Sequence, residues 1–162
     1  MRISTGDKIP DVQLLQKVGD EIGRVSLRSL TSGNKVVIFG LPGAFTGTCT
    51  ASHVPSFIRT AQGFRDKGYA HIVCFAVNDP HVMAAWAQST GGDAAGLTFL
   101  ADADASLTKA LGLNFTAPAA GFYDRTTRHA MLVEDGVITA LRLEESRGVC
   151  DLTAGESLLE IA

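Results

Sequence analysis

Cysteine is scarce in this chain. Cys49, Cys74 and Cys150 are the three present among 162 residues, and no two of them form a C-x-x-C pair. That spacing excludes a vicinal dithiol redox centre and a zinc ribbon. An odd number of scattered cysteines also argues against a disulfide framework and leaves room for a reactive thiol, with or without a partner thiol. Charge is sparse too: charged residues make up 19%, the net charge is -3, and no basic patch suits a nucleic acid. No apolar run approaches the roughly 20 residues that a membrane helix needs. The opening Met1-Arg2-Ile3-Ser4-Thr5-Gly6-Asp7 has neither a signal-peptide core nor the Arg/Ser richness of a transit segment, so the cytoplasm is the expected location. Repeats, low-complexity tracts and an interdomain linker are also missing. A chain of 162 residues with 46% hydrophobic content fits one domain, residues 1–162, around a sizeable core.

What is present alternates. Val12-Gln13-Leu14 and Arg24-Val25-Ser26-Leu27 read as strands, and Val36-Val37-Ile38-Phe39 as a buried one. Pro42, Gly43 and Gly47 break that strand, and the apolar positions Ala51, Val54, Phe57, Ile58, Ala61 and Phe64 then recur at helical spacing. A buried strand over 69–77 leads to Asp79 and Pro80, an N-cap and N1 pair opening a helix through Met83 and Trp86. Thr98-Phe99-Leu100-Ala101 is another strand, followed by a short helix capped by Asp104 and ended by Gly112. Further on, Gly121-Phe122-Tyr123 and 130–133 read as strands, Glu134-Asp135-Gly136-Val137 as a hairpin, and 155–161 as a terminal helix. The crossovers imply parallel strands and the hairpin adds antiparallel ones. The expected class is α/β: a mixed central sheet with helices on both faces, in the manner of an extended thioredoxin-like fold.

Cys49 stands where the loop off strand 36–39 becomes a helix. A helix start carries unsatisfied N–H groups and partial positive charge, both of which favour a thiolate. Moving a cysteine pKa from about 8.5 to about 6 takes roughly 3.4 kcal/mol. A helix end supplies about 0.3–1 kcal/mol, up to ~2 when partly buried. A cation is therefore expected beside this thiol. Ionisation alone gains only about thirtyfold in reactive species, so fast chemistry also calls for donors aligned on the transition state.

The segment Pro42-x-x-x-Thr46-x-x-Cys49 resembles the active-site motif of the peroxiredoxins. With His53-Val54-Pro55, Lys8-Ile9-Pro10, Cys74 through Pro80, Trp86 and Arg128-His129-Ala130 in matching order, the likeness is to the type-5, or type II atypical two-cysteine, subfamily over most of the chain. The resemblance implies thiol-dependent reduction of hydrogen peroxide and organic hydroperoxides without a cofactor or a metal. It implies Cys49 as the peroxidatic cysteine, Arg128 as the arginine holding thiolate and peroxide, Thr46 as a donor to peroxide and Pro42 as a shield against water. Backbone N–H groups near Thr48 and Cys49 would complete the donor set. For the resolving thiol it offers Cys150, in a polar loop that should be accessible, with Cys74, in an apolar run, as the other position. We favour Cys150, reached by local unwinding of the Cys49 helix. Recycling by thioredoxin or by glutaredoxin with glutathione, and a homodimer, also follow from the resemblance. Gly47, Ser56 and His129 depart from the subfamily pattern. His129 would place a titratable ring beside Arg128.

Plainer readings stand beside these. Thr46 is also suited to capping the helix, and Arg128 by itself reads as a solvated hairpin charge. Arg125 reads as a cation at the turn surface. His53, one turn after Cys49, either reaches the pocket or packs at the helix. His71 and His81 read as structural or surface residues, Met83 and Trp86 as core, and Asp102 and Asp104 as a loop and cap rather than an acid/base pair. Two other functions compete: Cys/His acyl transfer with His53 as base, and a redox sensor or binding protein that oxidises at Cys49 with little turnover.

Overall fold

The computed structural model describes residues 1–146 and 148–162. Its strands are β1 (Gln13–Val18), β2 (Glu21–Ser26), β3 (Lys35–Gly40), β4 (Tyr69–Ala76), β5 (Thr98–Ala101), β6 (Asn114–Ala117), β7 (Phe122–Thr126), β8 (His129–Glu134) and β9 (Val137–Leu143). Its α-helices are α1 (Leu27–Thr31), α2 (Val54–Asp66), α3 (Pro80–Thr90), α4 (Ser106–Ala110) and α5 (Gly155–Leu159), and a wide turn over Cys49–His53 precedes α2. The main sheet has seven strands in the order β2-β1-β5-β4-β3-β8-β9. The strands β3, β4 and β5 run parallel and the other neighbours antiparallel, so the sheet is mixed, as the alternation requires. Together β6 and β7 form a separate antiparallel pair.

Successive side chains of a strand point to opposite faces, and this divides the core in two. Val37, Phe39 and Cys74 pack with Phe57 and Phe64 of α2, Met83 and Trp86 of α3, and Leu158 of α5. Val36, Ile38, Val73 and Phe75 pack on the other face with Leu27 of α1, Leu107 of α4, and Leu111. Helices cover both faces of the sheet.

Local chemistry explains most boundaries. The Asp79 side chain accepts from Val82 N at 2.9 Å and Pro80 opens α3. Asp135 and Gly136 take φ of 47° and 77°, and Glu134 pairs with Val137 across a two-residue hairpin. The cap of α4 differs from expectation. Ala105, with φ 62°, is the cap residue, and Asp104 only accepts from Ser106. Buried Asp102 holds the first turn instead, accepting from Leu107 N at 3.0 Å and Thr108 N at 2.8 Å. The terminal helix is shorter than expected and leaves Ile161 exposed. The short β6 and α1 were not expected. Five residues are too few to display helical periodicity, and α1 declares itself through Ser26, whose hydroxyl accepts from Ser29 N.

Candidate active site

The wide turn at Cys49–His53 is π-helical, with Val54 N bonding the Cys49 carbonyl. An i→i+5 bond stacks residues five apart, so Cys49, His53 and Val54 all face inward and Ala51, expected on the apolar stripe, is turned out to solvent. Cys49 itself is fully buried. Upstream, β3 ends at Gly40, and the loop bends through Phe45 at φ 63°. Asn78, just past β4, holds this loop by accepting from Ala44 N at 3.0 Å. Each anchor lies at the C-terminal end of a parallel strand, the end where α/β sheets build sites.

Arg128 comes to Cys49 through the antiparallel pairing of β8 with β3, which sets His129 opposite Gly40. The buried guanidinium donates from Nη2 to Cys49 Sγ at 3.2 Å and from Nη1 to His53 Nδ1 at 2.9 Å. This is the cation that the sequence arithmetic called for, and it gives the sulfur a charge-assisted donor. His53 Nε2 in turn lies 3.1 Å from Thr153 O. A guanidinium only donates and a carbonyl only accepts, so the ring is neutral, with its proton on Nε2. Burial, then the charge of Arg128, holds its pKa well below the ordinary value. Both ring nitrogens are thus occupied away from Cys49, and the acyl-transfer reading loses its base.

Thr46 behaves differently from expectation. Its hydroxyl lies 2.7 Å from Gly43 O and must donate to it. What it offers the cleft is a lone pair, not a proton. Pro42 is buried, and its carbonyl accepts from Arg125 Nη1 at 2.9 Å. Arg125 therefore does not stand at the turn surface: half-buried, it lies over the Phe122 ring at 5.2 Å, and its guanidinium fills the space that a Cβ on Gly43 would need. Burial pushes its pKa down and the Cys49 charge pushes it back up. The place of this second guanidinium on Pro42 O was missed by sequence reasoning. Its only signal was a glycine directly after Pro42, the mark of a close approach to the chain. Pro42, Thr46, Gly47, Thr48, Phe122, Arg128 and Gly148 line an open cleft of about 240 Å³ at this end of the sheet.

The remaining thiols sit on two sides. Cys74 pairs with Phe39 in register and is buried on the Cys49 face, where burial and then the Cys49 charge raise its pKa well above the usual value. Cys150 is half-buried rather than open, and burial raises its pKa as well. Its loop is fastened to Glu144, whose Oε1 accepts from Asp151 N at 2.6 Å, Thr153 N at 2.9 Å and Thr153 Oγ1 at 3.1 Å. Thr48 Oγ1 also donates to Gly148 O at 3.3 Å, so the Cys150 loop rests against the Cys49 turn. All three cysteines are free thiols. His129 lies away from the site. With Met131 and Val133 it points to the opposite face of β8, against Phe75, and donates from Nδ1 to Thr127 O at 2.8 Å. Ser56 donates to His53 O at 2.6 Å and accepts from Gly155 N at 2.9 Å, which closes α5 onto α2. A Cβ at Gly47 would meet nothing within 4 Å, so no contact explains glycine there.

Known proteins arrange themselves around this geometry consistently. The model of the Redoxin family matches residues 4–158. Peroxiredoxin-2C of Oryza sativa subsp. japonica is 40% identical over 98% of this chain and 97% of its own length. The crystal structure of reduced Prx3 in complex with H2O2 from Vibrio vulnificus superposes with a TM-score of 0.91 at 35% identity, covering 98% of this chain and 95% of that one. Peroxiredoxin 5 from Alvinella pompejana superposes with a TM-score of 0.84 at 30% identity, covering 98% and 96%.

Proposed function

Since the chain belongs to the peroxiredoxins and is a thiol-dependent peroxidase, we propose that Cys49 is its peroxidatic cysteine and Cys150 its resolving one. The observation that carries this is the Arg128 guanidinium at 3.2 Å from Cys49 Sγ, at the edge of a cleft. The Cys49 thiolate attacks the terminal oxygen of a hydroperoxide, the O–O bond breaks, and the leaving alkoxide or hydroxide takes up a proton. Cys49 becomes a sulfenic acid, and water or an alcohol departs. Arg128 steadies the negative charge on sulfur and on the departing oxygen, as a preorganised donor does. Thr46 accepts the peroxide O–H through its free lone pair while Gly43 O holds its own proton. Pro42, buried and braced by Arg125, keeps water off the sulfur.

Cys150 then attacks the sulfenic sulfur, and its thiol proton leaves with hydroxide as water, giving a Cys49–Cys150 disulfide. The contacts of its loop with the Cys49 turn support this choice, as does the apolar packing that confines Cys74. A dithiol reductant, thioredoxin or glutaredoxin with glutathione, closes the cycle by exchange. The Vibrio vulnificus relative is described in complex with H2O2, which supports hydrogen peroxide as a substrate, and Phe122 in the cleft lining suits the organic group of an alkyl hydroperoxide. A reducing compartment such as the cytoplasm suits three free thiols, and exposed Phe45 in the active-site loop suits a homodimer, which sedimentation would register.

Stopped-flow oxidation followed by peptide mapping tests the assignment. Cys49→Ser abolishes peroxide consumption, whereas Cys150→Ser oxidises once at the wild-type rate and turns over only with a small thiol. A Cys49–Cys74 disulfide, or a stable sulfenate in the wild type, would exclude Cys150.

A further inference from the structure

His53 does not line the cleft, yet it is fully buried with both ring nitrogens committed to different parts of the site. On one side its Nδ1 lone pair fixes Nη1 of Arg128, whose Nη2 donates to Cys49. A neutral acceptor orients the guanidinium without adding negative charge, where a carboxylate would cancel the field felt by sulfur. On the other side Nε2–H holds the carbonyl of Thr153. That backbone unit is three residues past Cys150, and its hydroxyl approaches Cys150 Sγ at 3.9 Å. The ring is set by Phe39 at 4.9 Å and Phe57 at 5.7 Å between centroids, which leaves it little freedom to turn.

We propose that His53 is a positioning residue that ties the guanidinium on Cys49 to the loop carrying Cys150, so that the two are held together and released together. Two sulfurs bond at about 2.05 Å, so joining Cys150 to Cys49 draws the Cys150 loop out of place. Movement of that loop takes the Thr153 carbonyl from Nε2 and loosens the ring that aims Arg128 Nη1. Reduction resets both ends at once. The consequence for disulfide formation rests on the assignment of Cys150 above, whereas the two hydrogen bonds belong to the reduced protein whatever resolves it.

The test compares His53→Leu, which keeps bulk and loses both hydrogen bonds, with His53→Gln, whose amide oxygen accepts from Arg128 and whose NH2 donates to Thr153 O. In His53→Leu the rate constant for Cys49 oxidation by hydrogen peroxide at pH 7 falls at least tenfold. Backbone amides of 150–155 in the reduced protein exchange hydrogen at least tenfold faster. His53→Gln restores both. A lower melting temperature with neither readout moved, or a change in only one of them, overturns the coupling. Should His53→Leu not fold, the wild-type ring serves: nitrogen NMR shows the Nε2–H neutral form in reduced protein and its loss in the disulfide form. An imidazolium or an Nδ1–H ring in the reduced state overturns the proposal. A map lacking the Cys49–Cys150 bond strikes the resolving assignment alone and leaves the reduced-state readouts to judge His53.

Discussion

A guanidinium that divides its two terminal nitrogens between a sulfur and an imidazole does two jobs with one side chain. Arg128 both charges the site and is aimed by His53. Replacement with Met removes both, and loss of a single preorganised donor typically costs about 10²–10³ in rate. We expect Arg128→Met to slow Cys49 oxidation by at least that factor in stopped flow. Arg128→Lys is expected to recover little, because one ammonium cannot span sulfur and Nδ1 as a planar fork does. Thr46 separates by chemistry rather than size. Thr46→Ser keeps the hydroxyl on Gly43 O and stays near the wild-type rate, whereas Thr46→Val loses the lone pair and slows by roughly tenfold, the worth of about one hydrogen bond.

At the scale of elements, the proposed Cys49–Cys150 disulfide calls for the π turn to open. Its second residue, Thr50, accepts from Trp86 Nε1 at 3.0 Å, so the one tryptophan of the chain is wired to the turn. Oxidation by excess peroxide should therefore give two fluorescence phases, a fast one that scales with peroxide and a slower one that does not. Cys150→Ser should abolish only the slower phase. On the far face, Asp102 carries the start of α4 with two buried hydrogen bonds. Asp102→Ala leaves both N–H groups unpaired and is expected to cost roughly 2–4 kcal/mol in urea unfolding. Single-turnover oxidation at 25 °C should be unchanged, since α4 packs on the face opposite Cys49.

For the molecule as a whole, buried neutral histidines set the response to acid. Burial lowers the His129 pKa to about 4, and it lowers His53 in the same direction. Both fold without a proton that the unfolded chain binds below about 6.5. The stability they confer is complete above that pH and drains away as pH falls, for His129 toward about 4, where it accounts for up to about 3 kcal/mol. Urea unfolding at pH 7 and pH 4.5 reads this directly. His129→Phe keeps the aromatic contact with Phe75 and costs about 1 kcal/mol at pH 7, because Thr127 O loses its partner. Its loss of stability between the two pH values should nonetheless be smaller than that of the wild type. An equal loss in both proteins would show that His129 does not carry the acid response.

Much of this architecture was readable without coordinates because its signals are local. Asp79-Pro80 starts a helix and Asp135-Gly136 turns a hairpin through the dihedral preferences of those residues alone, and the apolar run 36–39 is long enough to declare a buried strand. Cys49 stood out for the same reason, as a thiol between a strand, a glycine-rich loop and a helical stripe. The partners of that thiol were another matter. Arg125 and Arg128 look alike as letters, and only the pairing of β8 with β3 and the packing of β7 over the Cys49 loop gave each its place, one on sulfur and one on Pro42 O. His129 went to the opposite face because strands alternate, and Ala51 was turned outward because a π turn carries one extra residue. Nor does any local pattern announce that Thr153 would close a chain of hydrogen bonds through His53 to Arg128. Propensity acts over a few residues, whereas the field and the donors at a buried sulfur come from segments about a hundred positions apart, and folding alone brings those together.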